Sequence, residues 1–183
     1  MNKLDNLKLK KLLLAAIFSA VIVIASWIQI PFTVPFTLQV FAVGLAVGLL
    51  GPLYGTLSVI VYILLGLVGL PVFSGFSGGV GALFGVTGGY IFGFIFFAVI
   101  EGLFVKFFGT KFYILVLGMV AGLIVCYTVG TLWFSFNYFG AITLKNIISS
   151  LTICVVPFII PDIAKILLSG FLVIKLKKLI NID

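Results

Sequence analysis

Apolar runs of membrane-spanning length follow one another along this chain, and little that is charged interrupts them. A helix needs about 20 apolar residues to cross the hydrocarbon layer of a bilayer, and in lipid its backbone polar groups must be satisfied within the segment. Of the 183 residues, 63% are hydrophobic and 8% are charged, with a mean hydropathy of +1.44. Such a chain has lipid as its solvent. An all-α integral membrane protein follows, a single membrane domain over 1–183 with room for roughly six transmembrane helices and no separate soluble domain.

Turn residues divide the runs. Transmembrane helices are expected over 12–30, closed by Pro31 and Pro35; over 37–50, closed by Gly51 and Pro52; over 53–70, closed by Pro71; and over 88–108, 112–134 and 161–178. A glycine-rich loop, 71–87, separates the third helix from the fourth, and a short helix is expected over 144–156, broken off by Pro157.

Lysine placement orients the bundle, because short cytoplasmic loops carry the excess of basic residues. With the N-terminus inside, Lys3, Lys8, Lys10, Lys11, Lys106, Lys111, Lys175, Lys177 and Lys178 are all cytoplasmic, leaving Lys145 in an outer loop and Lys165 in the membrane. The predicted topology is N-in, C-in. It puts the Pro31–Thr37 connection, the glycine-rich loop and the region of Asp162 on one outer side, where an outward-facing pocket is the economical reading. Trp27 and Trp133 fall near the outer helix ends, as interfacial tryptophans do. Residues 1–11 read as a lysine-rich lead-in retained in the mature chain, since the run behind them is of spanning length and lacks a small-residue cleavage site.

Several classes are disfavoured. The net charge of +7 resides in lysines at helix ends, which answer to topology and anionic lipid, not to nucleic acid. Cys126 and Cys154 lack CxxC spacing and read as inert packing residues. The chain has no histidine, which removes most catalytic and metal constellations. The glycines at 75, 78, 79, 81 and 85 do not form a phosphate loop, because no GK[ST] follows. They serve either tight irregular folding at membrane depth or a backbone-lined ligand site, and their outer position beside Asp162 favours the second. Ala16 and Ala20 recur four apart on the first helix, which suits close approach of another helix, from this chain or from a partner.

Asp162 and Lys165 are the sharpest feature. A charge at that depth costs about 2.5 to 3.5 kcal/mol on insertion scales, so the pair needs a reason to be there. Pro161 suits the first position of a helix, which puts Asp162 in a first turn where the macrodipole stabilises negative charge. Lys165 follows one turn on, along the same face. One reading is a self-neutralising pair. The other adds a ligand acceptor for the lysine, whose place so near a helix N-terminus the dipole disfavours.

Pro35-Phe36-Thr37-Leu38-Gln39, Gly69-Leu70-Pro71-Val72-Phe73 with Gly78-Gly79, Gly85-Val86-Thr87-Gly88-Gly89-Tyr90 with Gly93-Phe94, and Pro157-Phe158 leading to Pro161-Asp162 and Lys165 together resemble the BioY family. These are biotin-specific substrate-binding (S) subunits of energy-coupling-factor (ECF) transporters. The resemblance runs from the first helix to the last, although the family usually has a glycine before the aspartate and a proline before Thr87, where this chain has Pro161 and Val86. It implies a multi-pass subunit of a prokaryotic plasma membrane that captures biotin outside and joins a transmembrane coupling protein and two cytoplasmic ATPases. The same resemblance implies that the chain is not an enzyme, has no cofactor of its own, and offers Ala16 and Ala20 to the coupling protein.

Biotin presents a ureido ring with two N–H donors and one strong acceptor, a thioether ring, and an apolar chain ending in a carboxylate. The expected ligand set is Asp162 accepting ureido N–H groups, Lys165 donating to a ligand oxygen, Gln39 as a further polar contact, and Phe36, Phe73 and Tyr90 as walls. Thr37, Gly78, Gly79 and Thr87, within the same motifs, complete it, and the Pro31–Thr37 connection is a candidate lid. Glu101 is expected to snorkel or pair with an N-terminal lysine, or to take part in coupling. The rival readings are an S component for thiamine or riboflavin and, in a different class, a membrane-embedded enzyme, which would want more acidic residues converging at one depth.

Overall fold

A computed structural model describes residues 3–179, with side chains from Leu7 onward; the start of the expected lead-in, including the side chain of Lys3, lies outside the described residues. The chain is helical almost throughout. Helix α1 (Lys3–Trp27) is followed by two short strands, β1 (Gln29–Ile30) and β2 (Phe36–Thr37), and then by α2 (Gln39–Leu67), a one-turn α3 (Val80–Leu83), α4 (Gly88–Phe108), α5 (Phe112–Phe139), α6 (Leu144–Cys154) and α7 (Ile159–Lys177). By length and composition, α1 from Leu7, α2, α4, α5 and the α6–α7 stretch are five helices able to cross a membrane.

Proline chemistry explains where α1 stops. Pro31 and Pro35 cannot continue a helix, and each biases the residue before it toward extended backbone. The chain answers with an antiparallel ribbon in which Gln29 faces Thr37 and Ile30 faces Phe36. The first helix therefore ends at Trp27, short of the expected residue 30.

Within α2 the helix breaks at Gly51, whose φ of 78° and ψ of −176° are open to glycine, immediately before Pro52 with no N–H to donate. The two limbs fold back on each other. Gln39 Nε2 donates to Tyr62 Oη at 2.6 Å although 23 residues separate them, a span of roughly 35 Å along a straight helix. A Cβ on Gly55 would meet the backbone of Val47, and one on Gly102 of α4 would meet Pro52 at the turn itself.

Helix α5 runs to Phe139, beyond the expected end at 134, and stops where Gly140 adopts the left-handed conformation at φ 75°. Thr143 caps α6 by accepting from the Asn146 N–H. A 3-10 turn at Val156–Phe158 contains Pro157 and leads straight into α7, so Pro161 is not the first residue of the last helix. It is tolerated because the first four N–H groups of a helix have no intrahelical partner.

Glu101, in α4, is wholly buried, and neither carboxyl oxygen has a hydrogen-bond partner. This corrects the expectation that it snorkels or pairs with a lysine. The reason lies in packing: α5 closes over it, with Gly118 lying against the Glu101 backbone.

One end of the bundle is tied down by α1. Ser26 Oγ donates to the Val72 carbonyl at 2.6 Å and Trp27 Nε1 to the Pro71 carbonyl at 2.9 Å. From the other side Trp133 Nε1 donates to the Gly85 carbonyl at 2.9 Å. The two tryptophans thus hold the glycine-rich segment, with the indole N–H satisfied as a largely apolar setting demands.

Candidate functional site

At that same end α7 turns Asp162 and Lys165 inward, and both are buried, at 3% and 8% exposure. Their spacing of three places them one above the other, and Lys165 Nζ donates to Asp162 Oδ1 at 2.7 Å. From α5, Tyr127 Oη donates to the other carboxylate oxygen, Oδ2, at 2.6 Å. The ammonium also stands 4.1 Å from the centroid of the Phe36 ring, a cation–π distance. Phe36 in turn stacks on Phe158 at 5.2 Å. The β1–β2 ribbon and the start of α7 therefore meet over the ion pair.

These groups border a cavity of about 280 Å³. Its wall includes the apolar side chains of Val40, Ile91, Phe94 and Leu123. A second polar cluster comes from the two limbs of α2: Thr37 Oγ1 donates to Gln39 Oε1 at 2.8 Å, and the Gln39 amide donates to Tyr62 Oη. The Tyr62 ring meets Phe73 edge-on at 5.5 Å. Tyr90 Oη lies 3.5 Å from Thr131 Oγ1. An apolar slot with a few convergent polar groups is the usual build of a small-molecule site. One carboxylate and one ammonium in its wall make it formally neutral, suited to a ligand end that carries both donors and acceptors but no charge.

Of the residues expected from sequence, the structure brings together around the cavity Asp162, Lys165, Gln39, Thr37, Phe73, Thr87 and Tyr90. Phe36 acts at one remove, through Lys165 and Phe158. Gly78 and Gly79 do not line it. Gly79 has φ 84° and donates its N–H to the Gly66 carbonyl at 2.7 Å, and any Cβ on Gly78 would collide with the Leu70 carbonyl. Their glycine is required by a tight turn against α2, which accounts for both residues without a ligand. Of that loop Gly85 does reach the cavity.

Ala16 and Ala20 are not among the residues lining the cavity and lie on the exposed face of α1. Ala15 and Ser19 are the residues turned inward, and Ser19 Oγ donates to the Ser58 carbonyl at 2.9 Å. Among the described residues, the small residues at 16 and 20 are thus left exposed.

Tyr127 and Tyr62 had not been expected at the site. The available clue was their place in the middle of apolar runs, where a phenol hydroxyl must find a partner. Cys126 and Cys154, read as packing residues, are buried and unpaired by disulfide, and both border the cavity.

A family model described as the BioY family matches residues 1–182. Among similar proteins, the biotin transporter BioY of Thermotoga maritima is 42% identical over 172 residues, covering 93% of this chain and 98% of the relative. The biotin transporter BioY of Lactococcus lactis subsp. cremoris is 34% identical, over 95% of this chain and 94% of the relative. In structure, the chain resembles the crystal structure of the S-component for biotin from an ECF-type ABC transporter, with a TM-score of 0.84 and 34% identity over 97% of this chain and 95% of that one.

Proposed function

The chain belongs to the BioY family, and on that footing we propose that it is the biotin-binding S component of an ECF-type transporter. It is a transport subunit, not an enzyme. The observation that carries the ligand assignment is the buried Asp162–Lys165 pair, opened onto a cavity of about 280 Å³. Asp162 accepts a ureido N–H, and Lys165 donates to a ligand oxygen. Gln39, Thr37 and Thr87 add polar contacts, while Phe73 and Tyr90 form walls. Phe36, held over the lysine, belongs to a lid formed by the β1–β2 ribbon.

In this reading the folded-back limbs of α2 cross the bilayer separately, which makes six crossings, with both termini in the cytoplasm and the cavity facing outward. The lysine distribution supports it. The site is in the plasma membrane of a prokaryote, and the subunit works with a coupling transmembrane protein and two cytoplasmic ATPases. The exposed Ala16–Ala20 face of α1 is where the coupling protein docks.

Titration of the detergent-purified protein with biotin, read from tryptophan emission, tests the assignment. Trp27 and Trp133 both hold the glycine-rich segment at the cavity mouth, so saturable quenching or enhancement is expected, and thiamine and riboflavin should not compete. Saturation by either of those vitamins in place of biotin would reassign the ligand. Asp162→Asn should weaken biotin at least tenfold, on the order of 1.4 kcal/mol or more.

A further inference from the structure

We infer that Tyr127 is a positioning residue for the ligand: its hydroxyl, together with Lys165, fixes the plane of the Asp162 carboxylate so that a free lone pair on it meets a ureido N–H of the ligand. The inference rests on the reading of the cavity as a biotin site and goes beyond it, to a residue on another helix that no motif marks.

The terminal torsion of an aspartate is broad, so a carboxylate held by one donor can turn about it. Asp162 is held by two, one on each oxygen. Lys165 at 2.7 Å approaches Oδ1 from one turn further along α7, and Tyr127 at 2.6 Å approaches Oδ2 from α5. Donors anchored on two different helices leave the carboxylate little freedom to rotate. An ionised carboxylate offers about four lone-pair sites. Each oxygen already uses one, so one remains on each; the N–H groups of a five-membered cyclic urea diverge to either side of its carbonyl, so one N–H meets a remaining lone pair while the adjoining ureido oxygen can accept from Lys165.

The identity of the second donor also matters. A phenol supplies a hydrogen bond without a charge. A lysine or arginine in its place would make the wall cationic and would favour a carboxylate end of the ligand over its neutral ring. Tyr127 therefore contributes to recognition of the uncharged ureido end, although a direct contact with the ligand is not required. Support of this kind from a neighbouring side chain is what holds a binding group within the narrow tolerance that recognition needs.

Tyr127→Phe tests this, because it keeps the ring in the wall and deletes one oxygen. Biotin affinity should fall about tenfold, because a carboxylate held by one donor no longer presents a fixed lone pair, while the ligand-free protein stays folded with a modestly lowered unfolding midpoint, as for loss of one hydrogen bond to a buried charged group. Tyr127→Leu, which removes the ring as well, should lower both. The deciding comparison is with Asp162→Asn. If the phenol acts through the carboxylate, Y127F costs much less in the D162N background than in the native one. Undiminished binding by Y127F, or the same fold-loss in both backgrounds, overturns the positioning role while leaving the biotin assignment in place. Failure of the native protein to bind biotin overturns the assignment and the inference with it.

Discussion

Removing the charge of Lys165 while keeping its stem, by Lys165→Met, separates what the ion pair does for the fold from what it does for a ligand. The two groups are 2.7 Å apart, with side-chain exposures of 9% and 4%. Breaking a buried pair by neutralising one partner costs about 3 to 5 kcal/mol, because the other charge stays behind without compensation. Here Tyr127 still donates to Asp162 Oδ2, which puts the loss at the lower end, about 3 kcal/mol. The double replacement Asp162→Asn with Lys165→Met removes both charges and leaves residues of similar volume. Replacing a buried pair by neutral groups is often neutral or even stabilising, so the double variant should recover most of the lost stability.

Binding should behave differently, since neither a charged acceptor nor a charged donor remains for the ureido ring. Thermal unfolding in detergent, with and without biotin, reads both quantities for the native protein, the single variant and the double variant. The expected pattern is a lowered ligand-free midpoint in Lys165→Met, a restored midpoint in the double variant, and no biotin-dependent shift in either. A double variant that regains both stability and the biotin shift would refute the reasoning, because the pair would then be a structural device alone.

Three other expectations follow from particular contacts. A methyl group at Gly66 would sit inside the Phe73 ring, so Gly66→Ala should displace this wall of the cavity and cost about 1 to 3 kcal/mol by overpacking; a melting curve and a biotin titration should both register it. Large side chains at Ala16 and Ala20 project from the exposed face of α1, so replacing both by Leu should leave biotin binding intact and abolish co-purification with the coupling protein. Glu101 is buried with both oxygens unpartnered, and an isosteric neutral group avoids the large cost of a buried charge; Glu101→Gln should therefore match or exceed the native midpoint in thermal unfolding, whereas Glu101→Lys should not yield folded protein.

Local features were legible without coordinates. Run lengths and turn residues implied a helical membrane protein, and Asp162 with Lys165, three apart in one helix, needed only helical spacing to be read as a pair. What could not be read was which side of each helix faces the bundle. In water that side announces itself as an apolar stripe; in lipid the outer face is as apolar as the inner one, and the periodic contrast is lost. Ser19 rather than Ala16 turns inward on α1 for reasons of fit against α2, and no pattern along α5 distinguishes Tyr127 from its neighbours.

The sequence by itself determined the solvent of this protein, the helices that solvent demands, and the one charged pair kept among them, because hydropathy and spacing within a single helix act over a few residues. Only the tertiary structure decided that the break at Gly51 returns Tyr62 to Gln39, that α5 delivers a phenol to the carboxylate of α7, and that Gly78 and Gly79 form a turn against α2 outside the cavity lining. Those outcomes depend on how side chains from distant segments fill one another's gaps, which no single stretch of chain encodes.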